Sequence, residues 1–145
     1  MRQDFRCDCP ITSALDIVGD KWMLVIIKQM LLQGIETFKG FTESVEAIAS
    51  NILATKLKYL EQNGLVEKHD HPSNKKTKLY YLTEKGLALT PVIVELALWS
   101  DSNLRDLNPE MQNSEELKAM KQNKSAVIEK LLADYQTKRK TATGA

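Results

Sequence analysis

Net charge is nearly absent from this sequence: 20 lysines and arginines face 19 aspartates and glutamates, leaving +1. Binding to a polyanion through bulk charge is thereby excluded, so any nucleic-acid surface must come from lysines clustered on one face. Cysteine is scarce. Cys7 and Cys9 are the only two and stand one residue apart, which excludes the disulfide framework of small secreted domains and leaves both thiols reduced by expectation. Long apolar runs are missing as well. The longest, Trp22 to Ile27, is broken by Lys28 and Gln29, far short of the ~20 residues a membrane span needs. Met1 to Pro10 mixes Arg2, Asp4, Arg6 and Asp8 with almost no apolar residue and lacks the secretory pattern. The expectation is a cytosolic protein without a membrane partner. A Gly-rich phosphate loop, a nucleophile elbow and paired catalytic carboxylates are also lacking, so neither an enzyme nor a bound cofactor is expected.

What is present is an ordinary globular composition, 43% hydrophobic over 145 residues, which suits one compact domain with a core. No internal repeat is visible. Pro10 with Ile11, Ala14, Leu15 and Val18 at helical spacing, then Gly19, predicts a first helix. Asp20 is placed to cap a second, from Trp22 to Gly34, whose apolar residues surround nearly the whole circumference and mark it as buried and central. Phe38, Phe41 and Val45 predict a short amphipathic segment. Ser50 is placed to cap a helix from Asn51 to Gln62, closed by Asn63 and Gly64. Leu65 to His71 reads as a strand, Pro72 to Asn74 as a turn, and Leu79 to Leu82 as the returning strand, with Lys75 to Lys78 making a basic tip. Thr83 should cap a long helix bent at Pro91, whose run from Val92 to Trp99 carries only Glu95 as a charge. Such an apolar helix needs a partner, and a second copy of the chain is expected. After Asn108 and Pro109 the composition turns polar. Val127, Ile128, Leu131, Leu132 and Tyr135 still form one stripe of a last helix, and Lys138 to Ala145 should fray.

The helix from Asn51 to Gln62 carries the functional argument. At 100° per residue Leu53, Leu57 and Leu60 fall together, while Asn51, Thr55, Lys58 and Gln62 gather on the opposite side. Those polar types reach base edges in a major groove, Ser50 stands at the helix start, and Lys56 and Lys58 can neutralise phosphates. From Ala49 to Lys78 six lysines (Lys56, Lys58, Lys68, Lys75, Lys76, Lys78) face three acids (Glu61, Glu67, Asp70). A helix-turn-helix followed directly by a two-stranded wing is a known grip on duplex DNA. Because fold alone does not fix function, a winged-helix module that binds protein partners without DNA stays open as the alternative.

Three segments, CPITSALDIVGDKW (Cys9 to Trp22), LATKLKYLEQNGLV (Leu53 to Val66) and YYLTEKGLAL (Tyr80 to Leu89), resemble the HxlR-type family of bacterial winged-helix regulators, relatives of the MarR type. The resemblance covers roughly Cys9 to Leu107. It implies a mainly α fold with a small β-hairpin, a winged helix-turn-helix domain over 1–107 and a C-terminal helical extension over 108–145. It also implies a homodimer joined through the terminal helices, binding a pseudo-palindromic double-stranded operator with a recognition helix in each of two successive major grooves and wings over the flanking backbone. A regulator of this kind, a repressor by expectation, answers to an oxidant, an electrophile or a small-molecule effector. Lys56 and Lys58 match positions where the family has Arg or Lys. Asn51 departs from a frequently basic position, which shifts the expected preference from guanine toward adenine edges.

Cys9, just before Pro10, matches a cysteine that senses oxidants or electrophiles in some family members. Its place near a helix N-terminus, with Arg6 close in sequence, should lower its pKa. A small packed residue without chemistry is the other reading. Cys7 could resolve an oxidised Cys9, although Cys-x-Cys bridges are strained and a bridge to a second subunit serves as well. A ligand seated between the long helices is the rival to thiol chemistry. Cys7 and Cys9 with His69 and His71 offer two i, i+2 pairs, yet they lie on elements with no reason to meet, so no metal site is expected.

Overall fold

A computed structural model of the chain describes residues 4–143. In place of the single compact domain expected from length, the chain forms two compact units, Met1–Leu87 and Ala88–Ala145. The architecture is mainly α with one two-stranded antiparallel hairpin. No described helix is long and apolar enough to cross a membrane.

The first unit opens with α1 (Pro10–Val18), where Pro10 sits in the first turn and its missing N–H costs nothing. Asp20 Oδ1 accepts from the amides of Trp22 at 2.8 Å and Met23 at 2.9 Å, which starts α2 (Met23–Gln33). Gly34 ends α2 in the left-handed region at φ 67°. Ile26, Ile27 and Met30 are fully buried, as the all-round apolar pattern predicts. In α3 (Phe38–Thr42) Phe41 is buried and Thr37 Oγ1 caps the Gly40 amide at 3.0 Å. Val45, expected on the same face, is 88% exposed, because the helix stops at Thr42 and the chain turns outward.

The next helix, α4 (Ser50–Gln62), buries Leu53, Leu57 and Leu60. Its capping position is Ala49, not Ser50. The extended backbone (ψ 143°) falls on Ala49, Ser50 is already helical, and no side chain caps the end. Gly64 closes the helix at φ 80°, and Lys85 Nζ donates to the Asn63 carbonyl at 2.9 Å. The hairpin follows as β1 (Val66–His71) and β2 (Asn74–Leu82). Only Pro72 and Ser73 form the tip, so the lysines expected there belong to β2. The register runs evenly from Val66 opposite Leu82 to Asp70 opposite Lys78, then jumps to His71 opposite Asn74. Lys75, Lys76 and Thr77 bulge from the ladder between those last two pairs. An isolated bridge between Thr37 and Leu79, with the Tyr80 amide on the Glu36 carbonyl at 2.8 Å, ties the wing to the start of α3.

The single bent helix expected from Thr83 is two helices. Thr83 Oγ1 caps α5 (Glu84–Leu87) through the Gly86 amide at 3.2 Å. Then α6 (Thr90–Asn103) begins afresh, with Pro91 in its first turn, a place where proline starts a helix and does not bend one. In the second unit α6 is joined by α7 (Glu115–Gln122), capped by Ser114 Oγ on the Leu117 amide at 3.1 Å. The sequence reading missed α7. The last helix, α8 (Lys124–Thr143), buries Tyr135 from the expected stripe. It continues through the segment expected to fray, of which the final two residues lie outside the described ones.

Gly86 is where packing admits no side chain: a Cβ there would lie 2.2 Å from the Leu65 carbonyl oxygen. Backbone cannot yield as a flexible side chain does, so Gly86→Ala should destabilise the first unit by about 1–3 kcal/mol. Urea denaturation checks this, and an unchanged midpoint would contradict the tight junction of α5 with Leu65, just ahead of β1.

Candidate nucleic-acid interface

The leucines of α4 decide which side of it meets solvent. With Leu53, Leu57 and Leu60 buried, Asn51, Thr55, Lys58 and Gln62 are all exposed in one row, and Ser50 is exposed at its start. Thr55 Oγ1 donates back to the Asn51 carbonyl at 3.1 Å, which fixes its rotamer and leaves the oxygen able to accept. Lys58 forms no ion pair among the described residues.

Lys56, expected to reach phosphates, does something else. Its ammonium pairs with Asp20 at the start of α2, with only about a quarter of the side chain exposed. At 100° per residue Lys56 lies roughly 130° from the middle of the outer row, on the flank of the buried face. Burial would raise the Asp20 carboxyl, but hydrogen bonds from Lys56 and from the Met23 and Trp22 amides outweigh it and hold the group below the usual carboxylate range. Tyr59, on the same flank about 60° closer to the outer row, donates its hydroxyl to the Asp16 carbonyl at 3.2 Å. Thus α4 is tied to the end of α1 and the start of α2. A cleft of about 320 Å³ runs along this junction, lined by Leu15, Ile17, Met23, Thr55, Lys56 and Tyr59 among others. The Gly-Asp pair ahead of an apolar helix is the sequence signal for this bracing, and Asp20 serves both as cap and as ion-pair partner.

The wing supplies the second charged element. Lys75 and Lys76 are exposed on the bulge and unpaired among the described residues. The loop holding them is ordered by its own polar groups: Asn74 Oδ1 accepts from the Lys76 amide at 3.1 Å, and Asn74 Nδ2 donates to Thr77 Oγ1 at 3.1 Å. Lys78 differs, being paired across the ladder with Asp70, whose carboxyl is lowered by that contact. Of the six lysines counted from the sequence in this region, Lys56 and Lys78 are therefore neutralised internally.

Cys9 occupies the capping position of α1 and is partly exposed, Cys7 is exposed, and both are free thiols. The Cys9 thiol is lowered from its ordinary value by the Thr12 amide first, then the Thr12 hydroxyl and the Ile11 amide, all of which favour the thiolate. Arg6 is not a cause. Its Nε donates to Asp16 Oδ1 at 2.5 Å and its amide to Asp16 Oδ2 at 3.1 Å, so the guanidinium is engaged on α1. The two histidines sit in separate local settings: His69 lies against the Tyr81 ring with its Nε2 3.1 Å from a Glu67 oxygen but without a hydrogen-bond partner among the described residues, and His71 Nδ1 accepts from the Ser73 amide at 3.1 Å. Among the described residues no three His, Cys, Asp or Glu side chains are grouped to hold a metal ion.

Residues 17–108 match the family described as HxlR-like helix-turn-helix. The chain is 40% identical over 94 residues to the HTH-type transcriptional regulator YodB of Bacillus subtilis, an alignment covering 64% of this chain and 83% of that one. Among solved structures, quinone-bound YodB from B. subtilis superposes with a TM-score of 0.54 at 38% identity, covering 65% of this chain and 99% of that one. The redox regulator HypR in its reduced form gives 0.60 at 28% identity, covering 70% and 99%.

The Thr12 amide and hydroxyl and the Ile11 amide beside Cys9 all favour its charged form. They stabilise the thiolate, so the pH midpoint of its alkylation by iodoacetamide should fall below that of free cysteine measured alongside, in a Cys7→Ser background. Thr12→Val removes the hydroxyl and should move the midpoint up. Two midpoints equal to that of free cysteine would contradict the assignment.

Proposed function

The chain belongs to the HxlR-like helix-turn-helix family of transcriptional regulators, and from that premise we propose that it represses transcription as a homodimer on a pseudo-palindromic operator. The observation that carries this reading is the single exposed polar row of α4, flanked by the unpaired lysines of the wing. In the proposed complex Asn51, Thr55 and Gln62 read base edges, Ser50 and Lys58 meet the backbone at the groove edge, and Lys75 and Lys76 hold the neighbouring phosphates. Lys56 and Lys78 act from behind, by fixing α4 and the wing. The chemistry proposed is binding, not catalysis, and the compartment proposed is the cytoplasm.

Dimer formation is supported by α6. Val92, Leu96 and Trp99 recur at i, i+4 and i+7 on one face and remain exposed, Trp99 by 57%. A large apolar stripe on a soluble regulator needs cover, and a second copy supplies an identical face. Light scattering at micromolar concentration should give twice the monomer mass, and a monomer there would contradict the dimer.

For the signal, the lowered thiol of Cys9 favours reaction with oxidants or electrophiles, of which the quinone bound to the similar YodB is an example. Because α1 is tied to α4 through Asp16 and Tyr59, modification at Cys9 would be felt at the recognition helix of the same subunit. Treatment with diamide should lower DNA affinity, dithiothreitol should restore it, and Cys9→Ser should remain bound throughout. Release of the Cys9→Ser protein by diamide would move the chemistry to Cys7, and a wild-type protein left bound by diamide would favour a ligand in the cleft beside α4.

Gel-shift assays on promoter fragments of the chain's own and neighbouring genes test the whole reading, and no shift on any fragment would leave the protein-binding alternative. Two sets of substitutions should then separate. Lys75→Ala with Lys76→Ala should weaken binding to every duplex and flatten the salt slope by about 1 for each phosphate no longer neutralised. Asn51→Ala should reduce discrimination between operator and random DNA by about 1–3 kcal/mol. If both behave alike, the assigned recognition face is wrong.

A further inference from the structure

Behind the turn that leads into α4 lies a polar cluster that neither DNA contact nor thiol chemistry uses. Gln29, on the central helix α2, is fully buried, and its Nε2 donates to Ser44 Oγ and to Glu46 Oε1, each at 2.8 Å. Lys28 pairs with the other oxygen of Glu46. The Gln29 Oε1 has no partner among the described residues, so the amide's side-chain hydrogen bonding is directed to this turn alone. The residue after Glu46 is Ala47, at φ 53°. A side chain in the left-handed region is strained, and such a conformation persists only where its surroundings over-determine it. Val45 adds no packing, since it points into solvent, whereas Ile48 is buried. Ser44, Glu46 and Ile48 are therefore the anchors of the connection between α3 and α4.

We propose that Glu46, held by Gln29 and Lys28, is a positioning residue for operator recognition, which sets the direction in which α4 leaves the turn and hence where Ser50 and Asn51 meet the groove. This rests on the reading that α4 contacts DNA. Without the clamp, Ala47 relaxes to an ordinary backbone conformation and the first turn of α4, which no side chain caps, moves with it. Phosphate contacts tolerate such a shift, and base-edge contacts do not.

The test uses the full chain and two probes: the tightest duplex that the wild-type protein selects from a random-sequence pool, and an unselected duplex of equal length. Glu46→Ala should lower the ratio of the two affinities about tenfold or more, leaving affinity for the unselected duplex and its salt slope unchanged. Glu46→Gln should keep most of the ratio, because its amide can pair with the Gln29 amide and use the unpartnered Oε1. Ala47→Gly, which adopts the left-handed conformation without strain, should keep or raise the melting temperature and, placed in the Glu46→Ala protein, restore most of the ratio, a rescue that a merely stabilising cluster would not produce. An unchanged ratio in Glu46→Ala, equal losses on both duplexes, or no rescue by Ala47→Gly would overturn the proposal. If the wild-type protein selects no duplex, the reading of α4 itself fails.

Discussion

Burial of Leu53, Leu57 and Leu60 on one side of α4 is the constraint on which the rest of the recognition unit depends. Each leucine side chain removed from water contributes about 1.5–3 kcal/mol, more than any surface contact the helix makes. The rotation of α4 about its axis is therefore set by the core, and the outer row of Asn51, Thr55, Lys58 and Gln62 is a consequence of it. The flanks of the helix carry the fine adjustment. Lys56 on Asp20 and Tyr59 on the Asp16 carbonyl fix the helix against α1 and α2, while the turn before it is held from α2.

That division explains how a chain of almost neutral charge presents a cationic face. Acidic groups take the lysines that serve the fold, as Asp20 does for Lys56, Asp70 for Lys78 and Glu46 for Lys28. Lysines on the outer row and the wing bulge keep no such partner among the described residues. The same logic separates Cys9 from Arg6. Asp16 holds the guanidinium, so the thiol is tuned by hydrogen bonds at the start of α1 and not by a neighbouring charge.

Much of the first unit was legible in the sequence because its signals are local. Pro10 and Gly19 bracket α1, Asp20 and Gly34 bracket α2, and the 3.6-residue period of α4 places its two faces without reference to anything else. What was not legible depends on tertiary context. The long helix expected after Thr83 ended at Leu87, because Pro91 restarts a helix as readily as it bends one. The lysines of the supposed tip sit on a bulged strand, since the register that decides it is fixed across the ladder by Leu79 and Tyr81. A wheel drawn with all residues sets Lys56 toward the core flank, which its residue type alone does not reveal. The clamp at Glu46 joins residues 17 and 18 positions apart on different elements, with no periodicity to reveal it.

The claim at the centre of this account is that the outer row of α4 lies in a major groove. Dimethyl sulfate protection of guanine N7 on a selected duplex reads that groove directly. The account predicts two protected patches, one per subunit, centred about 10–10.5 base pairs apart on the same face of the duplex. Unprotected N7 positions throughout a duplex that the protein demonstrably shifts would contradict it.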